Sequence, residues 1–519
     1  MKTTRILSLA AAVLTLAACG NEEFIENNPG NEAAKPVPMT FTAGMPQTRT
    51  LLNGLNVHWS EGDQIALWDG PTMREFTAET INGSEATFTG EATPGANYTA
   101  FYPLSAVVEK DGLTIHYTVP AEQTAVAGTF ANQLAPSVAK ATSGSTYLVF
   151  ENLCALVKFT VPTNMAGEGT FTLVGGNATE ALAGKLSYNT LEGDLTATEP
   201  ATRITLTGNF TAGKAYYFVV MPGFLANGFS LLYEDSKSKL YRKATSNSVT
   251  LQAGHILNLG TLALSGFEPA ITTGMTYNGA SIGTPHPDGT STLNASELGN
   301  VGNTSELRVS SKNLTSLAGV GHYTRITTLR CEYNLLTTLN ASGLAELQNL
   351  ICNHNQLTTL NVSGLTKLKT LQCDDNQLTT LNAGGLTELG DLQCEGNQLT
   401  ALSLSGSTKL WRLLCDNNKL ATLDVSQLTS LTILKCYTNQ LTSLDVSKLT
   451  QLTNLDCRGN LMTALDITPL TKLTDLICGY QKSGSLNLVL TLTSAQKTTW
   501  DSKWGKEYYN TRNVTLNEK

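Results

Sequence analysis

A cysteine that returns at a fixed interval constrains this chain more than any other feature. Cys331, Cys352, Cys373, Cys394, Cys415, Cys436, Cys457 and Cys478 are each 21 residues from the next. Around them the frame is L-x-x-L-x-C-x-x-N-x-L, as in Leu368, Leu371, Cys373, Asn376 and Leu378, or Leu431, Leu434, Cys436, Asn439 and Leu441. A repeat this short cannot bury its own apolar face. Neighbouring copies must do so, and the outcome is a solenoid.

The motif resembles that of the leucine-rich-repeat family, with Cys at the third apolar position. The residue types explain the frame. Leu and Cys two positions apart share one face of a strand and point into the coil. The column Asn334, Asn355, Asn376, Asn397, Asn418, Asn439 and Asn460 stands where the chain turns inward and leaves backbone groups without ladder partners. An amide carries donor and acceptor together and satisfies both kinds. The second half of each coil, L-x-x-L-[DN]-[VA]-S-x-L, leaves little room for a helix, so short extended or 3₁₀ pieces are expected on the convex side. The coils, about nine of 21–22 residues, are expected over 305–488. They start at Leu307-x-Val309 with Val for Cys, and end at Ser485-Leu486-Asn487-Leu488 without the Asn. Trp500, Trp504, Tyr508 and Tyr509 are expected to cover the open end, as a cap over 489–519.

The cysteines themselves invite chemistry, and the spacing argues against it. Zinc needs ligands that converge, commonly as C-x-x-C pairs. One thiol per coil in a straight line does not converge. In-register parallel strands aim adjacent Cβ atoms the same way, which suits a disulfide badly. Redox work needs an exposed thiolate of low pKa. The cysteines read as small hydrophobes filling a narrow core.

Upstream the composition changes. Lys2 and Arg5 precede an apolar run, Ile6 to Leu16, too short to span a bilayer, and Leu16-Ala17-Ala18-Cys19 follows. This pattern is a secretory signal over 1–18. The tetrapeptide resembles the lipobox of bacterial lipoproteins, which implies cleavage before Cys19, lipidation of its thiol, and a membrane partner through that anchor. Gly20-Asn21-Glu22-Glu23 is similar to surface-export tags of Gram-negative lipoproteins, so the expected location is the outer membrane, facing the exterior. Residues 19–38 read as a tether.

From Met39 to about Ser265 short alternating apolar runs are separated by Gly, Asn, Asp and Pro, a β pattern. Thr48-Arg49-Thr50, Trp59-x-x-Gly62-Asp63-x-Ile65, Phe150-x-Asn152-x-Cys154-Ala155-Leu156-Val157-Lys158-Phe159, Tyr217-x-x-Val220-x-Pro222 and Gly254-x-x-Leu257-x-Leu259-Gly260 occur in that order. Together they resemble the fimbrillin family of surface lipoproteins. The resemblance implies two transthyretin-like β-sandwich modules, 39–150 and 151–265. It also implies either a membrane-anchored surface protein or a fimbrial subunit that exchanges strands with other subunits after an arginine-specific cut. Arg49 is then either the arginine at such a cut or an ordinary residue of the first strand. The Gly-, Thr- and Pro-rich stretch 266–304 reads as linker and N-terminal cap. The whole is mainly β.

Function must then lie on the surface. A formal net charge of −8 with 15% charged residues disfavours nucleic acid and acidic membranes as partners. No H-E-x-x-H, G-x-S-x-G or phosphate-binding glycine loop occurs, and the six histidines are scattered. No cofactor, metal or enzymatic activity is expected. Residues beside Leu and Cys on each strand point outward onto the concave face. Those expected to meet a ligand are Tyr333, His354, Asp374, Asp375, Glu395, Trp411, Asp416, Tyr437, Arg458 and Tyr480. Asp374, Asp375 and Glu395 read as solvated members of a regular face rather than as a glycosidase pair or a Ca²⁺ site. The expected partner is an extracellular protein or glycan.

Overall fold

The computed structural model describes residues 35–44, 59–83, 85–112, 114–130, 134, 136–177, 179–277, 280–481, 487–508, 510 and 513–519. The expectations at Cys19 and Arg49, the leader 1–18, most of the tether and Tyr509 lie outside them. Among the described residues no helix is long and apolar enough to cross a membrane.

The first unit, among the described residues, is a closed barrel of seven strands. Alternation drives it: Phe41 and Ala43, Ile65 and Leu67, Phe76 and Ala78, and Ala86 and Phe88 all turn inward and are buried. Val37–Gly44 closes the ring. It runs antiparallel to Glu85–Ala92 along its whole length and parallel to Tyr147–Asn152 from Thr42 to Gly44. Trp59 plugs one end. Its ring lies edge-on to Phe88, Tyr102 and Phe150 at 4.9, 5.0 and 5.5 Å, and its indole N–H donates to the carbonyl of Ala43 at 3.1 Å.

Two expectations about this region are corrected here. Seven described strands, from Val37–Gly44 to Tyr147–Asn152, close a barrel and not a sandwich. The boundary at 150 also does not follow strand pairing. Thr114–Val119 pairs with Ala183–Asn189, and Glu122–Val126 runs parallel to Arg203–Phe210. Ile115, Tyr117 and Val119 are therefore buried in the second core, with Phe159, Phe171, Leu206, Tyr216 and Phe218. An alternating strand declares which face it buries but not which core receives it, and a single chain gives no other clue.

Residues 266–304 are also more than a linker. Glu268–Thr272 pairs with Leu240–Thr245 and with Thr290–Thr292, extending the largest sheet of the second unit toward the solenoid. Ile271, Met275 and Leu293 on this extension belong to the solenoid core. Helix Ala295–Asn303 follows, its start fixed by a reciprocal capping box between Asn294 and Glu297. It shields the first coil, as a terminal cap must.

Among the described residues the solenoid presents nine short parallel strands, from Glu306–Arg308 to Asp475–Ile477, each in register with the next. Leu and Cys of the frame are fully buried in one continuous core. The asparagine column does what the residue type requires. Asn397 Oδ1 accepts from the Leu378 N–H at 3.0 Å. Its amide N–H₂ donates to the carbonyls of Cys373, Cys394 and Glu395 at 3.0, 3.2 and 3.3 Å. Each rung thus ties its own coil to the one before. In the last coil Gln481 takes the rung, accepting from Met462 N–H and donating to Cys457 and Cys478 carbonyls. All described cysteines are free and buried. Burial pushes the thiols of Cys331 to Cys478 well above their ordinary range, so they stay protonated.

The convex side carries short extended pieces such as Thr338–Asn340 paired with Thr359–Asn361. At the far end Leu488–Leu492 and Val514–Glu518 add parallel strands there. Trp500 and Trp504 are buried over the last coil, whereas Tyr508 is exposed. Asn510 finishes the concave sheet: its amide donates to the Leu476 and Trp504 carbonyls and its oxygen accepts from Cys478 and Gly479.

The solenoid is docked against the second unit by a polar seam. Gly321 N–H donates to Ser238 O at 3.0 Å, Ser238 Oγ donates to Asn340 O at 3.1 Å, and His322 Nε2 donates to Leu240 O at 2.9 Å. A Cβ at Gly321 would collide with the Lys237 carbonyl, so the close approach requires glycine there. Beside this seam a cleft of about 500 Å³ opens between Glu234, Asp235 and Ser238 on the sheet and Ala318, Asn340 and Asn361 on the coils.

Candidate functional site

On each concave strand the side chains alternate, so the residue after the cysteine points outward. The chain then leaves the strand through a left-handed residue. Ser311, Tyr333, His354, Asp375, Asn417, Thr438 and Tyr480 have φ between 49° and 58°, and Gly396 and Gly459 complete the column at 64° and 66°. This turn lets the asparagine, one residue later, fold back into the core. Bulky residues held there cost about 1 kcal/mol or more each, and the frame alone did not reveal the strain at Tyr333, His354 and Tyr480.

The structure sorts the expected ligand-facing residues into two neighbouring columns and one outlier. Asp374, Glu395, Asp416, Tyr437 and Arg458 each follow a cysteine directly. Tyr333, His354, Asp375 and Tyr480 occupy the left-handed position beside them. Trp411 stands apart. It precedes the strand Arg412–Leu414, at the opposite margin of the sheet. Its ring covers Gly390 of the previous coil, where a Cβ would come 3.0 Å from it, and the Arg412 guanidinium is 5.5 Å from the ring centre. Trp411 is therefore across the face from the others.

Within the columns the contacts are specific. Tyr333 and His354 stack with ring centres 4.4 Å apart, and Tyr333 is 55% exposed, so the pair offers an open aromatic surface. His354 Nδ1 faces Asp375 Oδ2 at 3.3 Å. At the other end the Arg458 guanidinium lies over the Tyr437 ring at 4.6 Å and 3.6 Å from Asp456. Between these ends Asp374, Glu395 and Asp416 follow one another on successive coils.

Their electrostatics are unfavourable as they stand. Burial raises the Asp374 carboxyl above the usual range, and the charge of Asp375 adds to this, against opposing hydrogen bonds from its own backbone and Asn353. Burial pushes Glu395 up to about 7; its own backbone N–H opposes this, while Asp374, Asp416 and Asp375 reinforce it. Burial likewise raises Asp416, although the Tyr437 hydroxyl helps hold it, and takes Asp456 up to about 6 despite Arg458. Among the described residues three buried acceptor atoms in this column have no hydrogen-bond donor: Glu332 Oε2, Asn353 Oδ1 and Glu395 Oε2.

Asn353 was missed in the sequence, although its place directly after Cys352 marked it. So was Asp391, which binds Arg412 through two hydrogen bonds of 2.7 Å and so neutralises a cation that otherwise faces the groove.

No protein-family model and no curated protein matches the chain. Solved structures do. The functional domain of InlJ from Listeria monocytogenes, described as including a cysteine ladder, is 29% identical over 45% of this chain and 56% of its own, with a TM-score of 0.32. A leucine-rich-repeat protein of Leptospira interrogans is 31% identical over 37% of this chain and 52% of its own, TM-score 0.35. A candidate cell-adhesion protein of Bacteroides uniformis is 17% identical over 45% of this chain and 95% of its own, TM-score 0.31. The chain thus spans about half the length of the first two.

Proposed function

We propose that this chain is a cell-surface recognition protein, anchored to the outer membrane through a lipid on Cys19, that presents the concave sheet of its solenoid to an extracellular protein or glycan. The observation that carries the reading is the face itself. Nine strands in register hold an exposed aromatic stack, Tyr333 on His354, beside a line of acceptors that have no donor among the described residues. A surface that served only to close the fold would saturate those groups. The β-units act as a rigid stalk, because the seam at Ser238 and the shared core at Ile271 fix the solenoid to them.

The test is to screen the full chain against glycans and extracellular-matrix proteins, then repeat with Tyr333→Ala and Trp411→Ala. Loss of about tenfold or more in affinity for either variant supports this face. Binding unchanged by both places it elsewhere. The reading involves no turnover, and a reaction abolished by Asp374→Ala or Glu395→Ala would overturn that part.

A second reading, a fimbrial accessory or anchor subunit, draws on one observation. Val37–Gly44 closes the barrel and precedes Arg49 in the chain, so a cut at Arg49 would free it and leave Glu85–Ala92 and Tyr147–Asn152 with unpaired edges. Such edges accept a strand from another subunit. Intact mass of the membrane-extracted protein separates the readings. A lipid-anchored receptor retains Cys19 with its acyl chains, and a processed subunit begins after Arg49.

A further inference from the structure

Two aromatic rings stand open on the concave face, and each sits beside a guanidinium that a carboxylate holds in place. Tyr333 is 55% exposed and Trp411 44%. His354, on the following coil, covers one face of the Tyr333 ring. On the preceding coil the same left-handed position carries Ser311, too short to cover the other face. Beside this ring Arg330 donates from Nε and Nη2 to Glu332 Oε1 at 3.2 and 2.9 Å. At the opposite margin Trp411 rests against Gly390, where a Cβ would crowd its ring at 3.0 Å. Its neighbour Arg412 donates to both oxygens of Asp391 at 2.7 Å. In both pairs the carboxylate is the buried member, with Glu332 and Asp391 side chains 11% and 13% exposed against 39% and 29% for the arginines. Each guanidinium has five N–H donors and gives two to its carboxylate, so donors remain at the surface next to each ring. Tyr437 is the contrast: the Arg458 guanidinium lies over its ring at 4.6 Å and closes it.

We propose that the concave face takes a neutral oligosaccharide, with the Tyr333 and Trp411 rings each stacking on one sugar unit while Arg330 and Arg412 donate to its hydroxyls. The inference rests on the concave face being the recognition surface, and it names the class of ligand. A pyranose has an apolar C–H face that an aromatic ring desolvates, rimmed by hydroxyls that both donate and accept. A ring with a fixed donor at its edge meets both needs. A protein partner instead needs a contiguous, desolvated apolar centre. Here the strands beside the two rings are four coils apart, and the rings lie on opposite margins, which separates them by about 25–30 Å. Thr370, Gln372 and Asp374 on one intervening coil, and Asp391, Gln393 and Glu395 on the next, interrupt any apolar path between them. A linear, hydroxylated ligand spans such a polar floor. Charge then selects among glycans. Each arginine is neutralised by its own carboxylate, while Asp374 and Glu395 lie between the rings, so sialylated and sulfated chains are repelled.

An array of neutral, sialylated and sulfated glycans probed with the full chain tests the proposal. Calorimetry with neutral gluco-, manno- and galacto-oligosaccharides, from disaccharide to hexasaccharide, then measures affinity. The expected result is binding of a neutral series, tightening with length as one chain reaches both rings. Tyr333→Ala and Trp411→Ala should each weaken the longest ligand about tenfold or more, and each should abolish the gain with length. Tyr333→Phe keeps the ring and should stay within about threefold of wild type, whereas Arg412→Lys loses the planar fork and should weaken binding about threefold or more. Phe224→Ala, at an exposed aromatic of the second β-unit, should bind as wild type does. The proposal fails if no neutral oligosaccharide binds at up to about 10 mM, or if sialylated or sulfated chains bind more tightly than neutral ones. A matrix protein that binds through Tyr333 and Trp411 while no sugar does ends the glycan assignment and leaves the concave face as the recognition surface. A neutral glycan bound equally by both alanine variants overturns the two together.

Discussion

Two polar columns descend the same strands, and their difference separates structure from function. The asparagines, finished by Gln481, spend every hydrogen-bonding atom on backbone of their own and neighbouring coils. The carboxylates directly after Cys331, Cys373, Cys394 and Cys415 have the same period and comparable burial at Glu332 and Asp416, yet among the described residues Glu395 and Glu332 each keep an oxygen without a donor. Regularity alone therefore does not mark a structural residue. Saturation does. A saturated column holds the coils together, and an unsaturated one holds capacity for something outside the chain.

Breaking the saturated column should have the largest effect. Asn397→Leu removes four hydrogen bonds and strands the Leu378 N–H in the core, while the Cys373 carbonyl keeps the Asn376 amide. The expected loss is about 3 kcal/mol, seen as a lower midpoint in urea unfolding, and a loss below about 0.5 kcal/mol would end the claim that this column carries the solenoid. Next comes the apolar column between them. Cys394→Ser puts a hydroxyl in a dry site and should cost about 1–2 kcal/mol, whereas Cys394→Ala costs about 1 kcal/mol through lost packing. A thiol reagent should label none of the ladder cysteines until the protein unfolds, since all are buried and protonated.

The columns also show what a sequence can disclose. In the solenoid every contact repeats at one interval, so the frame by itself puts Leu371 and Cys373 inside, Asn376 at the turn and Asp374 outside. The same interval marks Gln481 as standing where an asparagine is due. What the frame could not show is the left-handed turn at Tyr333 and His354, or that Glu395 Oε2 ends up buried without a donor. Those depend on which side chains happen to lie one coil away. In the β-units nothing repeats. Thr114–Val119 alternates as clearly as any strand, yet it joins Ala183–Asn189 rather than the barrel on either side of it in the chain. Its partner lies far along the sequence, and alternation carries no information about distance.

The unsaturated column should respond to pH in the opposite sense from most carboxylates. Glu395 is held at about 7 in the folded protein against an ordinary value near 4.5. Between those values the folded chain keeps a proton that the unfolded chain has released, so the carboxyl lowers stability progressively as pH rises from 4.5 to 7, and by a constant amount above that. Glu395→Gln removes the liability. The variant should match wild type near pH 4 and exceed it above pH 7 by on the order of 1 kcal/mol, the full shift being discounted because the side chain is partly exposed. Urea midpoints across this range check the sign, and a variant less stable than wild type at pH 8 would mean that Glu395 has a donor.

The smallest effect belongs to charges outside both columns. Lys367 reaches Glu346 of the preceding coil at 2.6 Å, and Lys409 reaches Glu388 in the same way. These pairs share the 21-residue interval of the columns, but both partners in each are about half exposed. Water competes for each charge, and ordering two long side chains offsets the Coulomb gain. Lys367→Ala should therefore change stability by less than about 0.5 kcal/mol, and that change should vanish at about 1 M salt. A loss as large as that of Asn397→Leu would show that periodic placement outweighs burial, and the distinction between saturated and unsaturated columns would then lose its basis.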